Sequence, residues 1–345
     1  MRSLNSGNRW VVRSGLVMAA TLGLLSANTV SSAATGSTAE ARSPVQMYGK
    51  VRVCGTQLCD ESGKPVQLKG MSTHGTQWFA HCLTDGAMDV MAYDWKASVV
   101  RVATYAHQGG YETDPKKFTD LVSQLIERAS ARGMYVIVDW HMMNPGDPNL
   151  DLEKAKTFFT EIAQRYRGRN NVIYELANEP HGVSWSAVKS YSEKLIPVIR
   201  SHDPDSVIIV PTSGWSTFGA SEGGNEREVV DNPVNATNIM YSFHFYSRVA
   251  REGYMEILDR ASSKLPIFVT EWGTASWTGH DTDFPMSQKW VDLMAKKKIG
   301  WTNWSLSDND RQLSVFKQGT CSAGTFSGAE ALTPTGAWVR ERIRS

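Results

Sequence analysis

Long apolar runs, surplus charge of either sign, cysteine and repetitive sequence are all scarce in this chain. Its 345 residues contain no low-complexity tract, and 41% of them are hydrophobic against 21% charged. That balance excludes a disordered or fibrous protein and leaves a globular one with a large core. Thirty-six Lys plus Arg stand against 35 Asp plus Glu, so there is no cationic excess to neutralise phosphates and nucleic acid is not an expected partner. The apolar run 15–25 (GLVMAATLGLL) has eleven residues, too few for the ~20 that span a bilayer. No membrane partner is expected. Neither H-x-H nor H-E-x-x-H occurs, and no G-x-G-x-x-G follows the first strand-like run, which removes the usual signs of a zinc hydrolase and of a dinucleotide fold. No metal and no cofactor are expected.

Arg2, Arg9 and Arg13 precede the apolar run, and the small residues Ser31, Ser32, Ala33 and Ala34 follow it, in the order of a secretory signal peptide. Residues 1–34 are therefore expected to be removed near Ala33 or Ala34, giving a secreted, extracellular protein with 33 basic and 35 acidic residues. Residues 35–46 are small and polar and read as a short linker, leaving 47–345 as a single domain. Four cysteines in an exported chain are expected to pair, with three connectivities open. The favoured pairing joins Cys54 to Cys59 and Cys82 to Cys321, since the first two flank only Gly-Thr-Gln-Leu and the others stand near the two ends of the domain.

Eight short runs rich in Val, Ile and aromatic residues begin near Gln67, Ser98, Met134, Asn171, Ser206, Asn238, Pro266 and Gly300, at intervals of 28 to 37 residues. Each is nearly continuous in apolar character, as parallel strands covered on both faces are. Between the second and third runs, Phe118, Leu121, Val122, Leu125, Ile126 and Ala129 keep helical spacing, with Asp114 and Pro115 before them and Gly133 after, the expected start and stop signals. Further amphipathic stretches cover 152–166, 187–200 and 288–297. The pattern predicts an α/β fold, a (β/α)8 TIM barrel, against the alternative of a doubly wound open sheet. The segment 48–66, with turn residues 60–65 (DESGKP), predicts a short N-terminal β-hairpin closing the bottom of the barrel.

Chemistry in this fold gathers at the carboxyl ends of the strands. Those ends offer His74 after the first run, Arg101 after the second, Asp139 and His141 at the third, Asn178 and Glu179 at the fourth, Trp215 after the fifth, His244 and Tyr246 at the sixth, Glu271 and Trp272 at the seventh and Trp304 at the eighth. Glu179 and Glu271 form the paired carboxylates that glycoside hydrolysis requires, one to protonate a leaving oxygen and one to act as base or nucleophile. Arg101 and Tyr246 are placed to stabilise the ionised member. Glu175, four positions before Glu179, and Asp139 read as buried structural acids. The histidines lack metal-ligand spacing and read as positioning groups. Trp78, Trp215, Trp272 and Trp304 are candidate platforms for sugar rings.

Taken in order, GMSTHGTQW, RVATY, YVIVDWH, NVIYELANEP, IMYSFHFY, VTEWG and TNWSLS resemble glycoside hydrolase family 5, the retaining cellulases, and CGTQLCDE, YDWKA and GYETDP are similar to its actinobacterial secreted members. The resemblance implies an endo-1,4-β-glucanase acting on β-glucan polysaccharide, and the barrel predicts a monomer. It implies that Glu179 is the general acid/base and Glu271 the nucleophile, that Asn178 contacts a sugar 2-hydroxyl, and that Arg101 and Tyr246 orient Glu271. His141 and His244 would support the acid and the bound sugar, and His74, Trp78 and Trp304 would line the glycone side. The segment 307–310 (SDND) lacks the Lys that some relatives bring there. A mannanase or xyloglucanase of the same family, a non-catalytic carbohydrate-binding barrel and a metal-dependent amidohydrolase are the rival readings.

Overall fold

In a strand, neighbouring side chains face opposite ways, so an unbroken apolar run must be covered on both faces. The computed structural model describes residues 42–345. The expected signal peptide over 1–34 and most of the expected linker lie outside the described residues. Within the stretch read as linker, Ser43 caps a short helix α1 (Pro44–Tyr48) through a reciprocal capping box with Gln46, a pattern worth two otherwise unpaired backbone donors.

Strands β1 (Arg52–Cys54) and β2 (Gln57–Cys59) pair antiparallel. Their tight turn falls at Gly55-Thr56, where Gly55 adopts φ +62°, rather than at 60–65. That later segment makes a second turn, closed by Asp60 accepting from the Lys64 amide and the Ser62 hydroxyl. Eight parallel strands then close a barrel: β3 (Lys69–Thr73), β4 (Val99–Tyr105), β5 (Tyr135–His141), β6 (Val172–Glu175), β7 (Ile208–Val210), β8 (Ile239–Tyr246), β9 (Ile267–Gly273) and β10 (Trp301–Leu306), with β10 pairing back onto β3. All eight predicted runs are barrel strands.

Helices α2 (Pro115–Ala131), α3 (Leu152–Arg165), α4 (Trp185–Arg200), α5 (Glu252–Ser262), α6 (Phe284–Lys297) and α7 (Pro334–Arg344) cover the outside. In α2 the Asp114 side chain accepts from the Lys117 amide, Pro115 occupies the first turn, and Phe118, Val122, Leu125, Ile126 and Ala129 are buried. After β3 and after β7 the chain makes only short helical turns. Behind β7 the glycines at 214, 219, 223 and 224 favour turns over a continuous helix, and Gly214, Gly219 and Gly223 have positive φ.

The barrel interior is layered. Val99, Tyr135, Ile137, Ile173, Ile209, Met240 and Phe268 fill its lower part, and Val51, Leu58 and Val66 from the hairpin region plug it from below. Hydrogen bonds fix the plug: the Val53 amide donates to Asn238 Oδ1 at 2.7 Å, and the Tyr135 hydroxyl to the Gly49 carbonyl at 2.5 Å. The disulfide Cys54–Cys59 lies in the hairpin. Cys82–Cys321, 239 residues apart, ties the segment after β3 to the segment after β10.

Candidate active site

Two residues above each lower-layer side chain, the same strand face presents a different chemistry. Along β4, Val99 is followed by Arg101; along β5, Ile137 by Asp139; along β6, Ile173 by Glu175. Arg101 therefore sits inside its strand, not beyond it, and is completely buried. Its guanidinium donates from Nε to Glu175 at 2.7 Å, from Nη1 to Glu271 at 2.9 Å and from Nη2 to Asn178 Oδ1 at 2.7 Å. A fourth partner, Asp139, lies 3.0 Å from Nη2. Burial works against the Arg101 charge, yet Asp139, Glu175 and Glu271 outweigh it and hold its pKa above the ordinary value.

Glu271 reaches this cluster through an irregularity in β9. Opposite Ser242 and His244, two positions apart, stand Phe268 and Glu271, three apart. The extra residue is a β-bulge, which reverses the side-chain alternation beyond it. Glu271 consequently faces inward just after inward-facing Thr270, whose hydroxyl meets His244 Nε2 at 2.8 Å. Trp272 faces outward. It is fully buried in the core against Phe245 and Trp301, so it is not a sugar platform as the strand-end reading had it.

The Tyr246 hydroxyl donates to Glu271 Oε1 at 2.6 Å. Glu179 lies four residues past the end of β6, and its Oε1 is 3.0 Å from His244 Nδ1. Single oxygens of Glu179 and Glu271 and a nitrogen of His244 all lie within 4.8 Å of one another. Folding thus brings the two predicted carboxylates together at the mouth of a cleft of about 650 Å³, with Glu179 8% and Glu271 4% exposed.

Charge is distributed unevenly around the pair. Burial would strip His244 of its proton, but the nearby carboxylates of Glu175, 3.8 Å from Nε2, and Glu179, 3.0 Å from Nδ1, together with the field of Glu271, raise its pKa to about 9. His141 behaves oppositely: burial, reinforced by Arg101, lowers it to about 3, and its Nδ1 contacts Asp139 at 2.7 Å rather than Glu179. Burial raises the Asp139 carboxyl well above its ordinary range despite Arg101. Glu175 ends up lowered to about 2, because Arg101 and His244 overcome the cost of its burial. His74 is lowered to about 4, first by burial and then by the charges of His141 and Arg311; its Nδ1 accepts the Gly75 amide at 2.7 Å.

Aromatic rings shape the walls. Trp304 stacks on His141, with centroids 5.5 Å apart, and tilts against His74 at 4.8 Å. Trp215, with positive φ, lies flat on His181 at 3.5 Å and 5°. Trp78 stands beside the cleft, 46% exposed and edge-on to Tyr105. Asn178 and Arg101 lie beneath the lining, whereas His74, His141, Trp215, His244, Tyr246 and Trp304 contribute to it. The strand-end reading missed Tyr105, although it closes the RVATY run it quoted, and it missed Trp277 and Arg311, which also line the cleft from loops that carry no periodic signal.

Residues 59–310 match a family described as cellulase (glycosyl hydrolase family 5). The chain is 57% identical over 303 residues to Endoglucanase E-5 of Thermobifida fusca, covering 88% of this chain and 65% of that protein. It is 50% identical over 300 residues to Endoglucanase CelA of Streptomyces lividans, covering 87% and 65%. The crystal structure of the catalytic domain of the Thermobifida fusca endoglucanase Cel5A (E5) in complex with cellotetraose superposes with a TM-score of 0.87 at 57% identity, covering 88% of this chain and all of that one. The chain thus spans about two thirds of the length of these curated relatives.

Proposed function

The chain belongs to the cellulase family, glycosyl hydrolase family 5, and from that membership we propose that it is a secreted endoglucanase, cleaving internal β-1,4 bonds of β-glucan with retention of anomeric configuration. The observation that carries the reading is the approach of Glu179 and Glu271 to within 4.8 Å. Retaining enzymes place their carboxyl groups ~5–5.5 Å apart, while inverting enzymes leave ~6.5–9.5 Å for a water.

Roles follow from the surroundings of each acid. Arg101 and Tyr246 both donate to Glu271, which compensates its negative charge and aims it, as a nucleophile needs. Glu179 stands 3.0 Å from His244 Nδ1, a contact that orients its carboxyl beside the leaving oxygen. In the first step Glu271 forms a bond to the anomeric carbon, the glycosidic C–O bond breaks, and Glu179 gives its proton to the departing oxygen. In the second, water attacks the same carbon, Glu179 takes the water's proton, and the bond to Glu271 breaks. Trp304 and Trp215 supply sugar-stacking faces on the cleft walls, and export follows from the signal-peptide pattern of residues 1–34.

Glucan is favoured over mannan and xyloglucan by the endoglucanase relatives. The test is product analysis on carboxymethylcellulose, mannan and xyloglucan side by side, with proton NMR of the first-formed product. Cleavage of carboxymethylcellulose with a β-anomer formed first is expected. An α-anomer, or no cleavage of any β-glucan, rejects the reading.

A further inference from the structure

Isolated exposed apolar residues are ordinary on protein surfaces and carry no meaning alone. Trp277 is 70% exposed, the most exposed of the large apolar side chains among the described residues, and two further observations set it apart. It lines the same cleft as Glu179 and Glu271. The loop that bears it, between β9 and α6, is also rigidly built.

Within that loop the Ser276 amide donates to the His280 carbonyl at 2.9 Å, the Gly279 amide to Ser276 at 2.9 Å and the Asp283 amide to Thr274 at 2.7 Å. The loop is then stapled to the segment after β10. The Gln312 amide donates to the Gly279 carbonyl at 2.9 Å, Gln312 Oε1 accepts from the Thr282 amide and hydroxyl, each at 2.8 Å, and the Arg311 guanidinium donates to the Thr278 carbonyl. Gly279 is required there. It has φ +82°, and a Cβ on it would meet Arg311 Cβ at 2.8 Å, so the arginine stem lies flat on bare backbone. The main chain on both sides of Trp277 is thus fixed before ligand arrives, so only the side-chain torsions are left to order on binding, which suits a stacking platform.

We propose that Trp277 is a platform for a glucosyl unit of the bound chain lying away from the bond that is broken, and that Arg311 is its positioning residue. This deepens the endoglucanase reading and rests on it. Trp277 contributes to holding longer chains and not to bond cleavage, since Glu271 lies almost fully buried while the ring stands at the rim.

The test compares the purified wild-type protein with Trp277→Ala, Trp277→Phe and Arg311→Ala on cellohexaose and on a short aryl β-cellobioside. Trp277→Ala is expected to raise KM for cellohexaose about 3- to 10-fold, the range of one aromatic contact, with kcat and the aryl substrate unchanged. Trp277→Phe should recover much of the loss, and Arg311→Ala should show a smaller rise in KM with the same selectivity. Unchanged KM for cellohexaose in Trp277→Ala, or equal losses on both substrates, overturns the platform and leaves the endoglucanase reading standing. A wild-type protein inert on both substrates overturns that reading, and the platform with it.

Discussion

The lower and upper layers of this barrel are built on the same strands, two residues apart, and differ in almost every physical respect. Below, Val99, Ile137, Ile173 and Phe268 meet in a dry apolar centre plugged by the hairpin. Above, Arg101, Asp139, Glu175 and Glu271 crowd four ionisable groups into a space with almost no solvent exposure. Apolar burial stabilises the first layer directly. The second is tolerable only because its charges pair with one another, since removing one partner of a buried pair strands the other. One end of the molecule therefore supplies stability directly, and the other gathers buried ionisable groups that depend on one another.

Substitutions can separate the two ends. The largest effect is expected from Glu271→Ala, which removes the bond-forming group: activity on carboxymethylcellulose should fall beyond the ~10²–10⁴-fold range of lost proton transfer, while circular dichroism still shows a folded barrel. Near-normal turnover would mean that the nucleophile lies elsewhere. Glu179→Ala should cost natural glucans that ~10²–10⁴-fold and aryl glycosides with good leaving groups far less in the step that releases the aglycone; equal losses on both would remove its acid role. Arg101→Met breaks the contrast, because it leaves three buried acids without their cation; about 3–5 kcal/mol of stability should disappear together with activity, as read by urea unfolding and assay. Phe268→Ala, in the lower layer, should cost ~3–5 kcal/mol while the folded fraction keeps its kcat. A matching fall in kcat would show that the layers are coupled.

The smallest expected effect is one of pH. His244 is raised from 6.5 to about 9, so it binds its proton more tightly folded than unfolded. Its stabilising contribution is complete below about pH 6.5 and fades as pH rises through 9. Thermal melts from pH 6 to 10 should show this alkaline decline in the wild type and a flatter profile in His244→Gln. Identical profiles would detach His244 from the carboxylates.

Much of this was legible in sequence for identifiable reasons. Continuous apolar runs mark strands buried on both faces, so the barrel was visible, and carboxylates at the ends of such runs have few reasons to be there except chemistry. What escaped depended on side-chain direction. Trp272 and Trp304 each look like an aromatic at the end of a strand, yet a single extra residue in β9 turns Trp272 into the core, and no composition signal announces a bulge. Reading strand ends sets Arg101 after its run, yet it lies inside β4, where the three acids gathered from other strands make its burial possible. Trp277 escaped because a tryptophan in a loop reads the same whether it packs inward or stands in a cleft.

Arg101 draws its partners from β4's neighbours on both sides and from across the barrel: Ser72, Asp139, Glu175, Asn178 and Glu271. Residues that share one partner do not contribute independently, so this set will show strong epistasis. Chimeras that cross over between β3 and β9 must inherit all six residues from compatible parents, whereas rim aromatics such as Trp78 and Trp277 can be randomised one at a time. For directed evolution, the useful diversity lies in the loops, and the hub is a single heritable unit.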